Sequence, residues 1–416
     1  MAGFHRVAGL VALALVWGTT AEAARKPKPE PAAPASQATA WTATWEASPE
    51  PPRAPVVITG NQTVRQVARV SVGGIWTRLR LSNEFGDKPL TISSAHFGLA
   101  GPGGSVQQGS DRTVTFGGAP FVTIPPHARV VSDPISLTVP PLSSVAVSLF
   151  FPGQVGDVTE HYFGLATGWI APGNMTASPA LTPATTFTKR VVLTGIEVAT
   201  PPKVKSVVVL GDSITGGYGS TADANRRWPD RLAERLAQRQ GGPLAVVNAG
   251  IGGNRLLHDF IGPNALSRFD RDVLTQANVG YVIVLIGIND FGFPGGRNLP
   301  QEDVTAEAVI AGYKQLIAQA NTSGIRVIGA TMPPFGPIPE RPGYYSEASA
   351  AKRAAVNQWI RTSRAFHGVV DFDAALRDPA NANAMSPAYD SGDHLNPNDA
   401  GYQAMANAVD LKLFDN

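Results

Sequence analysis

The 416-residue chain contains no cysteine. Disulfides, thiolate metal sites and a cysteine nucleophile are therefore excluded, and the compartment has to be read from the N-terminus instead. Charge is sparse and balanced. Only 16% of residues are charged, 34 basic against 32 acidic, for a formal net charge of +2. No basic stripe or acidic tail is present, so nothing in the charge pattern points to nucleic acid as a partner. The seven histidines (His5, His96, His127, His161, His258, His367 and His394) show no paired ligand spacing, which argues against a metal centre. No apolar run reaches the ~20 residues that a bilayer-spanning helix needs.

What is present is enough apolar material, 43% of residues, to bury a sizeable core. The length implies two domains at ~100–200 residues each. The N-terminus has one basic residue, Arg6, then an apolar stretch from Val7 to Trp17, then Ala21-Glu22-Ala23. This small-x-small ending fits a secretory signal over residues 1–23, cleaved near Ala23. The expected localisation is therefore exported, periplasmic or extracellular. With no cysteine after the apolar run a lipid anchor is excluded, and no membrane anchor is expected after cleavage. Residues 24–40 are Pro/Ala-rich without periodicity and read as a tether.

From residue 41 to about 200 the texture is all-β. TVRQVARVSV, TRLRLS and SVAVSLFF alternate apolar and polar residues between Gly, Asn and Pro turns, as a half-buried strand does. A sandwich or jelly-roll module is expected there. Trp41, Trp45 and Trp76 could stack on sugar rings or simply fill the core.

At Lys203 the pattern changes. The runs 206–210, 244–250, 281–287, 325–332 and 368–372 are short, continuously apolar and rich in β-branched residues. Helical patterns over 229–240, 304–320, 347–361 and 401–413 separate or follow them. Such an alternation predicts a parallel sheet covered on both faces, over 203–416. Sites in such sheets lie at the carboxyl ends of the strands.

Just after those runs stand GDSITGG with Ser213, NAGIGGN with Gly253, GIND with Asn289, and SGDHLNPNDAGY with Asp393 and His394. No Lys-Ser or Lys-Thr follows the first glycines, which excludes a P-loop. The glycine spacing of the second does not fit a dinucleotide fingerprint, so no cofactor is expected. Each fragment alone is an ordinary turn. In this order, each behind a strand, they resemble the four signature blocks of the SGNH (GDSL-type) hydrolases, over roughly residues 203–413. The resemblance implies a flavodoxin-like α/β/α hydrolase domain. It also implies Ser213 as nucleophile, with an oxyanion hole made by the Ser213 and Gly253 backbone N–H groups and the Asn289 amide. Losing one such donor typically costs ~3–4 kcal/mol in the transition state.

The last block departs from the family pattern. Counting back from Gly401-Tyr402, the family's histidine falls on Asn396, with Asp393 correctly three residues before it. An amide cannot take a proton from serine, whereas a neutral imidazole can. His394 is therefore the candidate base, oriented by Asp393 or Asp390, and His258 is a remoter substitute. Asn254, Arg255, Phe291 and Phe293 follow the blocks closely enough to invite substrate roles, as do Arg226 and Trp228. The stretch MPPFGPIPERPGYY could form a lid or rim.

The β-module followed by this hydrolase half looks like the arylesterase or acetylxylan-esterase-like branch of the family. That implies a serine esterase acting on short, acetyl-type esters of a carbohydrate or aryl alcohol, with a small molecule or a polysaccharide as its partner. Two alternatives stand beside it. One is a glycan-binding protein disabled by Asn396, and the other is a lipase for longer acyl chains.

Overall fold

The computed structural model describes residues 39–54 and 58–415. The expected signal over 1–23, and all but the last two residues of the tether, lie outside the described residues.

The β-rich half is built from two main antiparallel sheets, beside two small sheets of two strands each. One joins the first strand, Ala40–Glu46, to the last, Leu193–Thr200, and through it to Gly74–Ser82. The other is ordered 185–187, 168–172, 62–69, 144–151, 94–99, 112–113. Alternation in sequence becomes alternation in burial. Ile135–Val139 reads buried, exposed, buried, exposed, buried, because successive side chains of a strand face opposite sides. Leu79, Leu81, Phe97, Val147, Leu149, Phe151 and Ile196 from both sheets meet in one apolar core.

The second half forms a parallel sheet of five strands, here β1 (Ser206–Gly211), β2 (Ala245–Gly250), β3 (Val279–Leu285), β4 (Arg326–Ala330) and β5 (Gly368–Val370). Their order is β2-β1-β3-β4-β5, the flavodoxin-like arrangement. Every residue of β1 is buried, as its unbroken apolar run requires. The helices are α1 (Ser213–Gly216), α2 (Trp228–Ala237), α3 (Ala265–Phe269), α4 (Ile288–Gly296), α5 (Ala306–Thr322), α6 (Glu347–Thr362), α7 (Phe372–Leu376) and α8 (Asp399–Ala408). The pattern expected over 401–413 divides into α8 and a short 3-10 turn, Leu411–Phe414.

Helix α4 falls where the sequence reads as a Gly/Pro-rich loop, INDFGFPGG. Its low helix propensity is overridden by packing, since Phe291 and Phe293 are both buried in the core.

From Thr39 onward the chain forms one compact unit. The texture change near residue 203 falls between the strand Leu193–Thr200 and β1, and the two halves are bonded along their contact. Ser206 Oγ donates to the Ala43 carbonyl at 2.9 Å, and the Val246 N–H donates to Ser71 Oγ at 2.9 Å. Buried Arg268 donates to Asp272 at 2.7 Å and to the Ala249 and Gly211 carbonyls at 2.8 and 2.9 Å, at the ends of β2 and β1. Arg271 bonds Asp272 and reaches across to Glu84 at 3.1 Å and the Pro49 carbonyl at 3.0 Å. Burial works against the charge of Asp272, yet the two guanidiniums hold its carboxyl below the usual range.

Candidate active site

The carboxyl ends of β1, β2 and β3 deliver the first three blocks side by side. Ser213 opens α1 directly after β1. The helix start is capped by the Asp212 carboxylate, which accepts the Ile214 N–H at 3.0 Å. Burial pushes the Asp212 carboxyl up to about 7 despite that bond. Ser213 is half-buried, and its hydroxyl has no hydrogen-bond partner among the described residues. The end of α1 is held from the second block, where Asn248 Nδ2 donates to the Thr215 carbonyl at 2.8 Å.

After β2 the chain turns at Gly253, whose φ of 76° lies in the left-handed region that glycine adopts without strain. Behind that turn Asp290 takes the N–H groups of Leu256 and Leu257, at 2.7 and 2.9 Å, and so fastens the second block to α4. Burial lifts the Asp290 carboxyl to about 6. Asn289, on the first turn of α4, is buried. One of its amide N–H groups donates to the Asn254 carbonyl at 2.9 Å, and its Oδ1 accepts from the Tyr344 hydroxyl at 2.8 Å. These two bonds fix the amide plane and leave a second N–H uncommitted, as a side chain donating to an oxyanion requires.

Tyr344 was not singled out by sequence reasoning. It stands in the stretch read as a lid or rim, but it is fully buried. Burial, followed by the charge of Asp212, raises its phenol well above the usual value.

The fourth block reaches the site through close contacts. Gly219 follows α1, has φ 87°, and approaches so closely that an added Cβ would fall 2.8 Å from Ser391 Cβ and 3.0 Å from the Pro397 carbonyl. The Tyr402 hydroxyl of α8 donates to the Tyr218 carbonyl at 2.7 Å, and Asp399 receives the N–H and hydroxyl of Thr221 at 2.9 and 2.7 Å.

Within this block the expected pairing of Asp393 with His394 is corrected. His394 has φ 59°, its side chain is 50% exposed, and its Nδ1 bonds Asp390 Oδ2 at 2.6 Å. Asp393 turns to Asn396 instead. Its Oδ1 accepts the Asn396 and Leu395 N–H groups at 2.7 and 3.0 Å, and its Oδ2 accepts Asn396 Nδ2 at 2.7 Å. Neighbouring side chains point apart, so one carboxylate cannot serve both. Asn396 is buried, and its Oδ1 has no partner. Neither His394 nor Asn396 is hydrogen-bonded to Ser213.

Several residues near the blocks have structural work. Arg255 and Asn254 are each 1% exposed. Arg255 is paired with Glu302, and Asn254 donates to the Pro263 carbonyl at 2.8 Å. Phe291 and Phe293 belong to the core, and Trp228 is buried edge-on to Phe372. Arg226 reaches Asp399 at 2.9 Å. His258 is half-buried without a hydrogen-bond partner among the described residues. In the β-module Trp45 is buried and Trp41 lies under the Arg78 guanidinium.

Residues 209–404 match the model of the GDSL-like lipase/acylhydrolase family. No curated protein matches the sequence. Three solved structures illustrate the structural similarity. An aryl esterase from M. smegmatis is 19% identical, over 49% of this chain and 95% of its own, with a TM-score of 0.38. A carbohydrate acetylesterase from Sinorhizobium meliloti is 17% identical over 49% and 95%, with a TM-score of 0.39. A putative lipolytic protein of the G-D-S-L family from Desulfitobacterium hafniense is 23% identical over 49% and 97%, with a TM-score of 0.37. The α/β half of this chain, with its serine behind β1 and its asparagine on α4, is a GDSL-like lipase/acylhydrolase domain, of a family of carboxylic ester hydrolases.

Proposed function

We propose that the protein is an exported serine esterase that hydrolyses short-chain esters of a carbohydrate or aryl alcohol. The observation that carries this reading is the locked Asn289 amide, held by Asn254 and Tyr344 beside the Gly253 turn, behind the strand that pairs with the one leading to Ser213, whose hydroxyl is free. Ser213 Oγ attacks the ester carbonyl while its proton passes to His394 Nε2. The oxyanion rests on the Ser213 and Gly253 N–H groups and the Asn289 amide. His394 then returns the proton to the departing alkoxide as the C–O bond breaks, and water releases the acyl group by the reverse order of steps. Asp390 accepts from Nδ1, which leaves Nε2 as the basic nitrogen. This step requires the 390–394 turn to bring the ring to Ser213 when substrate is bound.

Export rests on the N-terminal sequence, and N-terminal sequencing of secreted protein should begin near residue 24.

One observation favours a second reading, a binding protein that retains ester recognition without turnover. Asn396 is buried in the grip of Asp393, and an amide there is no base. Hydrolysis of p-nitrophenyl acetate, butyrate and octanoate by the wild type and Ser213→Ala separates the two. The esterase reading expects Ser213-dependent turnover that is fastest on the acetate. Turnover absent from the wild type and present in Asn396→His would overturn it in favour of the binder.

A further inference from the structure

A segment of the β-module reaches the second block. The ring of Phe163, a module residue, lies on Gly252, next to the proposed oxyanion donor Gly253. A Cβ added at Gly252 would fall 2.3 Å from Phe163 Cδ2 and 2.5 Å from its Cε2, so any side chain there would displace the ring. Phe163 also meets Tyr218 edge-on, with centroids 5.4 Å apart and planes at 79°. Tyr218 is 40% exposed, and its N–H donates to the Ser213 carbonyl at 3.0 Å, one turn from the nucleophile.

The backbone beside both rings is tied down. The Thr167 N–H and hydroxyl both donate to the Asp223 carboxylate at 2.6 Å, and the Asp223 N–H returns to the Leu165 carbonyl at 3.1 Å. The Tyr402 hydroxyl fixes the Tyr218 backbone from the other side. The two consecutive glycines of the turn therefore meet different walls. Gly253 meets the tight apolar wall of Ile261 and Phe293, whereas Gly252 meets the half-buried Phe163 ring, which in turn meets the exposed Tyr218.

We propose that Phe163 and Tyr218 form the leaving-group wall of the active site, where the flat face of a ring-bearing alcohol packs. The β-module is then a specificity element of the catalytic site and not only a structural neighbour. An open aromatic pair rewards a ring and offers little to a two-carbon alcohol, so this wall selects for the alcohol.

The inference rests on the serine esterase reading, and the test separates the two. The selectivity for phenyl acetate over ethyl acetate, as a ratio of kcat/KM, is measured for the wild type, Phe163→Ala, Phe163→Leu and Tyr218→Ala. Acetylated methyl xyloside against ethyl acetate forms a second arm, which distinguishes a sugar ring from an aryl ring. The ratio should fall ~5–10-fold in all three variants, mostly through KM, in at least one arm. Phe163→Leu still covers Gly252 and should unfold at the wild-type temperature, so its lost selectivity reports the aromatic face and not a damaged fold. Unchanged ratios in both arms overturn the proposal. Binding of acetanilide, the amide counterpart of phenyl acetate, is then titrated by calorimetry to Ser213→Ala with and without Phe163→Ala. Weaker binding on loss of Phe163 upholds the wall even where the wild type hydrolyses neither ester, and equal binding overturns it.

Discussion

The 390–396 turn holds two Asp-centred pairs of almost identical construction. Asp390 accepts the backbone N–H groups of Gly392 and His394, at 2.8 and 3.0 Å, with Oδ1, and the His394 ring with Oδ2. Asp393 accepts the N–H groups of Leu395 and Asn396 with Oδ1 and the Asn396 amide with Oδ2. Both are Asp turns that tie a side chain to its own loop. They differ in environment and in chemistry. The exposed pair carries an imidazole, whose ring nitrogen can accept a proton. The buried pair carries an amide that cannot, and it leaves a buried oxygen unpaired. Position toward the core and capacity for proton transfer have been separated onto two neighbouring residues, and the proposed mechanism gives the work to the exposed one.

Removing the imidazole tests that assignment with the largest expected effect. His394→Ala should lower kcat on p-nitrophenyl acetate by ~10²–10⁴, the usual contribution of a general base. An unchanged rate would take the proton transfer away from the exposed pair altogether. Next in size, Asn289→Ala should cost ~10²–10³ in kcat through the lost oxyanion donor, whichever pair supplies the base. Its effect should persist in the His394→Ala background, and its absence there would show that the residual rate arises outside this site.

A smaller gain is expected from giving the buried pair a base. Asn396→His should raise kcat by ~10-fold and rescue His394→Ala, because Asp393, which now holds the Asn396 amide, would orient a buried imidazole in its place. A double variant that stays inactive would show that the Asp393 pair has no line to the serine.

The smallest effect concerns the buried carboxylate beside Ser213. The folded pKa of Asp212, about 7, lies above the unfolded ~3.9, so the folded chain binds that proton more tightly. Its contribution favours the fold below pH ~4, fades as pH rises, and is gone above about 7. Asp212→Asn keeps an oxygen for the Ile214 N–H and removes the charge. Its melting temperature relative to wild type should therefore be several degrees higher at pH 8 than at pH 4. Equal differences at the two pH values would show that burial does not govern this group.

Legibility differed in the same way. Strands β1 to β5 were readable from their apolar runs, and the burial of β1 is the physical reason. The helix over INDFGFPGG was not, because its propensities oppose it and only the packing of Phe291 and Phe293 supports it. The positions of Ser213, Gly253 and Asn289 after three strands follow from sequence order, since parallel strands present their carboxyl ends on one side. Tyr344 comes from a Pro/Gly-rich stretch that carries no local signal for an inward tyrosine. Phe163 gave no signal either, because its partner Gly252 lies 89 positions away in a different half of the chain.

By itself, then, the sequence determined the sheet, the order of the four blocks and the departure at Asn396, since each depends on residue type and near neighbours. Only the tertiary structure decided which aspartate holds which side chain, what locks the Asn289 amide, and that a β-module ring covers the glycine turn. Those outcomes depend on the direction of a loop and on contacts between distant segments, and neither is encoded in local periodicity.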